Sequence, residues 1–166
     1  MTRKVPVAIV LLIVFSVFSG CSVGTHADSN EPQLARVEIY SASDQTLIGT
    51  IEDKKALATF NENTLFTEQL DNMDEDSINQ QAEIQKELEV HTEQYNFISY
   101  KAPVAVSSDG TLEKIYEITV YKDTNIIKFQ VSPESIKNFS VPSELLTFYF
   151  KASDETLKYL NSLVQQ

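Results

Sequence analysis

Apolar and polar residues alternate where the body of the chain begins. In Arg36-Val37-Glu38-Ile39-Tyr40, Val37 and Ile39 share one face, and Leu47, Gly49 and Ile51 repeat the pattern after the polar stretch Ser41-Ala42-Ser43-Asp44-Gln45. This predicts a β-hairpin. The period then changes: Ala56, Leu57, Phe60 and Thr64 fall on one helical face, with Asp53 placed to cap the first turn. Further on, Ile78, Ile84 and Leu88, with Gln81 filling a gap, give a thin amphipathic helix within the acidic segment 71–93.

From Tyr95 onward β-formers take over. The spacing predicts strands over Tyr95–Lys101, Leu112–Tyr121 and Ile126–Val131. Turns separate them at Ser107-Ser108-Asp109-Gly110, where glycine supplies a positive φ, and at Lys122-Asp123-Thr124-Asn125. A helical turn is expected over Pro133–Asn138 and a last strand over Leu145–Lys151. Ser153 then caps a C-terminal helix whose stripe is Leu157, Leu160 and Val164. This order implies a single α+β domain over residues 34–166, an antiparallel sheet of about five to six strands with two or three helices packed on one face.

The residues ahead of that domain have a different character. Arg3 and Lys4 are followed by the apolar run Val5–Phe18, broken only by Ser16 and by Pro6 near its start. A short positive segment followed by such a run has the form of a signal peptide, and the run is shorter than the roughly 20 residues a spanning helix needs. It ends in Phe18-Ser19-Gly20-Cys21, which resembles the lipobox of bacterial lipoproteins, with small residues at the two positions before a cysteine. The resemblance implies a signal peptide over residues 1–20, cleavage between Gly20 and Cys21, and a diacylglyceryl group on the Cys21 thiol. It also implies a protein held on the extracytoplasmic face of the cell membrane. Phe18 stands where the family usually has Leu, Val or Ala. Ser22–Gln33 is small and polar throughout apart from Val23 and Pro32, so residues 21–33 read as the lipidated cysteine and a flexible tether. Twelve such residues have an r.m.s. reach of about 20 Å.

Charge refines this picture. The chain carries 24 acidic and 13 basic residues, a net charge of −11, and removing residues 1–20 deletes two bases and no acids, which makes it −13. Anionic headgroups repel such a body, so its membrane contact would run through lipid alone. The same balance argues against nucleic acid, whose binding depends on Lys and Arg displacing counterions. Cys21 is the one cysteine, so the chain has no internal disulfide.

Little in the body has the pattern of catalytic chemistry. His26 sits in the tether and His91 beside Glu87 and Glu93, and there is no Gly-x-Ser-x-Gly elbow or Ser-x-x-Lys motif to activate a nucleophile. No nucleotide fingerprint or zinc-ligand spacing occurs, and no cofactor is expected. Asn72, Asp74, Asp76 and Glu83 overlay part of a calcium loop, although Ser77 replaces the glycine its sharp turn requires. Asp74, Asp76 and Glu83 are therefore weak metal candidates beside the simpler reading of a solvated acidic segment. A carboxylate pair of glycosidase type is the enzymatic alternative, as a cell-envelope hydrolase. Such an enzyme would have to stack sugars on Tyr or Phe, because the chain has no Trp. Tyr95, Phe97, Tyr100 and Phe148-Tyr149-Phe150 are better explained by sheet packing.

The segments Tyr121-Lys122-Asp123-Thr124-Asn125 and Leu146-Thr147-Phe148-Tyr149, with the early hairpin and helix, are similar to the small surface lipoproteins of Gram-positive bacteria, a family without an assigned activity. The expectation is a membrane-tethered, non-enzymatic binding or accessory module. It would contact a protein or envelope component through an exposed sheet face or the acidic helix.

Overall fold

The computed structural model describes residues 34–64, 66, 75–103, 110–136 and 141–165, with 75–79 described as backbone. The elements run β1 (Leu34–Ser41), β2 (Leu47–Ile51), α1 (Lys54–Thr64), α2 (Glu75–Leu88), β3 (Glu93–Lys101), β4 (Glu113–Tyr121), β5 (Ile126–Val131), β6 (Thr147–Lys151) and α3 (Asp154–Leu163). Short 3-10 turns occupy Pro133–Ser135 and Ser143–Leu146. The class is α+β, with six antiparallel strands in the order β2-β1-β3-β4-β5-β6. Strands β3 to β6 form a meander. The β1–β2 hairpin attaches to the free side of β3.

Strand register explains the two faces, because successive side chains point to opposite sides. Partners Ile39, Phe97, Ile118, Phe129 and Phe148 form one row across five strands, and Tyr95, Val120, Ile127 and Phe150 form the next. Both rows belong to the core, and every residue in them except half-buried Tyr95 is buried. Leu57 and Phe60 of α1 and Leu160 of α3 close over this face, with Phe60 and Phe97 ring centroids 6.1 Å apart. Phe66 stacks on Phe150 at 5.3 Å with an interplanar angle of 11°. Each large apolar side chain removed from water in this way contributes about 1.5–3 kcal/mol.

The caps read from the sequence are in place. Asp53 Oδ1 accepts from Lys55 N at 3.1 Å and Ala56 N at 3.0 Å, and Ser153 Oγ accepts from Thr156 N at 3.1 Å. Gly110 has a φ of 81°. The remaining residues of its expected turn, Ser107 to Asp109, lie outside the described residues, as do Lys137 and Asn138 of the expected helical turn.

Two helices, α1 and α3, pack on the core face as expected, and α2 lies on the other one, where Ile84 and Leu88 pack against Tyr121, Ile126 and Tyr149. The structure departs from the sequence reading at two points. A register shift between Ile39 and Tyr40 pairs Leu47 with Tyr40, and Leu47 is exposed instead of sharing a face with the half-buried Gly49 and Ile51. Leu145 and Leu146 belong to a 3-10 turn, so the last strand begins at Thr147.

Candidate functional site: the polar face of the sheet

The face opposite the α1–α3 core carries the polar half of each strand's alternation. Register places Tyr40, Asn96, Thr119, Lys128 and Tyr149 in one row across five strands. The row beside it holds Glu38, Ile98, Glu117, Gln130 and Thr147. Arg36 pairs with Tyr100 on one side of these rows, and Glu93 pairs with Tyr121 on the other. Four of the chain's seven tyrosines, Tyr40, Tyr100, Tyr121 and Tyr149, thus share a face that the helices α1 and α3 do not cover.

Every acidic side chain in these rows is matched by a base. Glu52 Oε1 accepts from Arg36 Nε at 2.7 Å, and Glu38 Oε1 lies 3.4 Å from Arg36 Nη1. Glu117 Oε2 is 2.8 Å from Lys114 Nζ, and Glu93 Oε1 is 2.8 Å from Lys128 Nζ. The last pair has a particular geometry. Lys128 is on β5 and Glu93 on β3, so the two side chains together bridge β4 across two strand spacings, roughly 10 Å. The Tyr121 hydroxyl donates to the same Glu93 oxygen at 3.1 Å.

Ionisation follows these contacts. Partial burial alone would raise the Glu93 carboxyl, but the hydrogen bond and charge of Lys128, with the Tyr121 hydroxyl, outweigh it and hold the group below the usual carboxylate range. Burial, reinforced by the Glu93 charge, pushes the Tyr121 phenol up, and burial together with the Glu38 carboxylate pushes Tyr100 up to about 12. Tyr40 is raised by its 2.8 Å hydrogen bond to Glu38 and by burial. These phenols are neutral hydrogen-bond donors at physiological pH.

The row that holds Lys128 also contains two buried polar groups. Asn96 and Thr119 are direct cross-strand partners, 6% and 0% exposed, and among the described residues neither Asn96 Oδ1 nor Thr119 Oγ1 meets a hydrogen-bond partner. A polar group held out of water without a partner costs about 1–3 kcal/mol.

The residues singled out from sequence are distributed as follows. Gly20, Cys21 and Asp74 lie outside the described residues. Asp76 and Glu83 both belong to α2, which runs unbroken from Glu75 to Leu88. Seven helical residues separate them by about 10 Å along the axis, and a continuous helix does not make the loop that a calcium site of this type wraps around its ion. The Asp76 side chain is not described, Glu83 is exposed, and no three His, Cys, Asp or Glu side chains converge among the described residues. His91 Nδ1 donates to Lys122 O at 3.1 Å, which ties the turn before β3 to the turn after β4. The ion pairs of the polar face were not visible beforehand, since they join residues brought together only by strand register.

Compared with known proteins, the chain matches no family model, no curated protein and no solved structure. No helix among the described residues is long and apolar enough to cross a membrane.

Proposed function

We propose that the chain is a lipoprotein fastened to the extracytoplasmic face of the cell membrane through Cys21, and that its folded body is a non-enzymatic binding or accessory module. The observation that carries the first part is the N-terminal succession of Arg3 and Lys4, the apolar run Val5–Phe18, and Ser19-Gly20-Cys21, with Cys21 the sole cysteine. Two acyl chains on one thiol suffice for stable attachment, because each buried CH₂ contributes about 0.8 kcal/mol.

The second part is supported by the polar face. Its acids are neutralised by neighbouring bases, and Glu93 is held in the ionised form, the opposite of the raised carboxyl that a general acid requires. Tyr40 and Tyr100, half-buried on this face, give amphipathic contact area at low entropic cost.

Attachment through the N-terminus would also orient the body. Strand β1 starts at Leu34, and the three turns at its far end lie side by side, with Ala42 N donating to Gln94 O and Lys122 N to Thr92 O. Eight strand residues put those turns about 25 Å beyond the point where the tether joins.

Growth of cells expressing the full chain with labelled palmitate tests the anchor. The unsubstituted chain is expected to take up label and fractionate with membranes, and the Cys21→Ser chain to do neither. An unlabelled, freely released parent chain would overturn the reading.

A further inference from the structure

Helix α2 is held to the sheet differently from α1 and α3. Leu57 and Phe60 of α1 and Leu160 of α3 belong to the main core, whereas Ile84 and Leu88 belong to a separate cluster on the opposite face, with Tyr121, Ile126 and Tyr149. Over residues 80–88 only Leu88 is buried; Gln81 and Ile84 are half-buried and the others are exposed. Gln81 adds two hydrogen bonds, both to the backbone of Tyr149 on the edge strand β6. A helix of fourteen residues is marginal in water on its own, and Glu83 and Glu87, four residues apart, repel one another. Docking therefore keeps α2 in shape, so its undocking and its unfolding are one event.

The sheet has no such dependence on α2. Its six strands bond to one another in series, and its core is closed from the other face by α1 and α3. The turn that follows α2 is tied to the sheet, with His91 Nδ1 donating to Lys122 O and Lys122 N to Thr92 O, while Val90, just before it, is 85% exposed. We infer that α2 is a strap that lifts from the sheet as one unit, pivoting at Glu89 and Val90, while all six strands stay folded. Local openings of this kind run through contiguous segments and cost less than global unfolding. Lifting frees the N–H and C=O of Tyr149 that Gln81 satisfies, and it uncovers the side chains of Tyr121, Ile126 and Tyr149. The β6 edge is thus closed or open according to the state of α2.

Residue-resolved hydrogen exchange of the full chain under native conditions tests this. Alternate residues of an edge strand turn their amides outward, so with Tyr149 N bonded to Gln81, the Phe148 and Phe150 amides face β5. The Ile84, Leu88 and Tyr149 amides are expected to share one level of protection and one weak urea dependence. That level should lie at least about tenfold below those of Phe148, Phe150 and the central-strand amides of Phe97 and Val120. Ile118→Val, a change confined to the main core, should lower protection at Phe97 and Val120 by about three- to tenfold and leave Tyr149 unchanged. Protection at Ile84, Leu88 and Tyr149 equal to that of Phe97, with the same urea dependence, would mean that α2 is lost only with the whole fold. Exchange of Phe148 and Phe150 at the rate of Tyr149 would mean that β6 itself frays. Either result, or a parallel fall at Tyr149 in Ile118→Val, overturns the proposal.

Discussion

Gln81 and Tyr149 exchange two hydrogen bonds: Tyr149 N donates to Gln81 Oε1 at 2.7 Å, and Gln81 Nε2 donates to Tyr149 O at 3.0 Å. A side-chain amide here makes the pair of contacts that the backbone of a seventh strand would make. Replacing Gln81 with Ala is expected to lower stability by about 1–2 kcal/mol, the worth of two such bonds, and to speed hydrogen exchange at the Tyr149 amide. Gln81→Glu should keep the first bond and lose the second. Unchanged protection of the Tyr149 amide in Gln81→Ala would show that α2 is not held to the sheet edge in this way.

The Glu93–Lys128 pair predicts an acid-sensitive contribution. Glu93 is held below its ordinary value of about 4.5 in the folded chain. The stability it supplies is therefore fully present above 4.5 and is lost as pH falls through the folded-state value. Urea titrations across this range should show Lys128→Met losing less stability on acidification than the parent, because its Glu93 has less to lose. Parallel curves would refute the assignment.

At the alkaline end the sign reverses. Tyr100 is pushed up to about 12 by burial and the Glu38 carboxylate, and Tyr121 is raised by burial and Glu93. The folded chain keeps protons that the unfolded chain gives up near 10, so this stability is complete below 10 and erodes as pH climbs from there through about 12. Phenolate absorbance of the native chain should lag that of the urea-unfolded chain over the same interval. Superimposable titrations would contradict the burial of these hydroxyls.

Thr119 and Ile118 are chain neighbours with opposite expectations. Ile118 is fully buried in the core, and Ile118→Ala should cost about 2–5 kcal/mol. Thr119→Val removes a buried hydroxyl that meets no partner among the described residues and keeps its shape, so stability should hold or rise by up to about 1 kcal/mol. A loss above 1 kcal/mol on Thr119→Val would mean that the hydroxyl is satisfied.

The features legible from sequence were the local ones. Alternation gave β1, β3, β4 and β5 to within two residues at each end, and chemistry alone identified Asp53 and Ser153 as caps, since a short oxygen-bearing side chain before an apolar stripe satisfies the orphan amides of a first turn. Strand order was beyond reach, because the Ile39–Phe97 pairing is decided by packing between distant segments. Leu47 was misplaced because a register shift turned it outward, and nothing in Leu-Ile-Gly marks that shift. Gln81 interrupts an apolar stripe, and its spacing was visible while its partner was not. For the polar face, the charges of Glu93 and Lys128 were in view, but their meeting over β4 follows only from the register of three strands.

The meander β3–β6 is built from strands joined in chain order, whereas β1 finds β3 only across the whole of α1 and α2. Loop closure makes such distant pairing slow relative to pairing between neighbours. The C-terminal four strands are thus the natural nucleus of folding, and a newly made chain would already have released the hairpin that must wait for them.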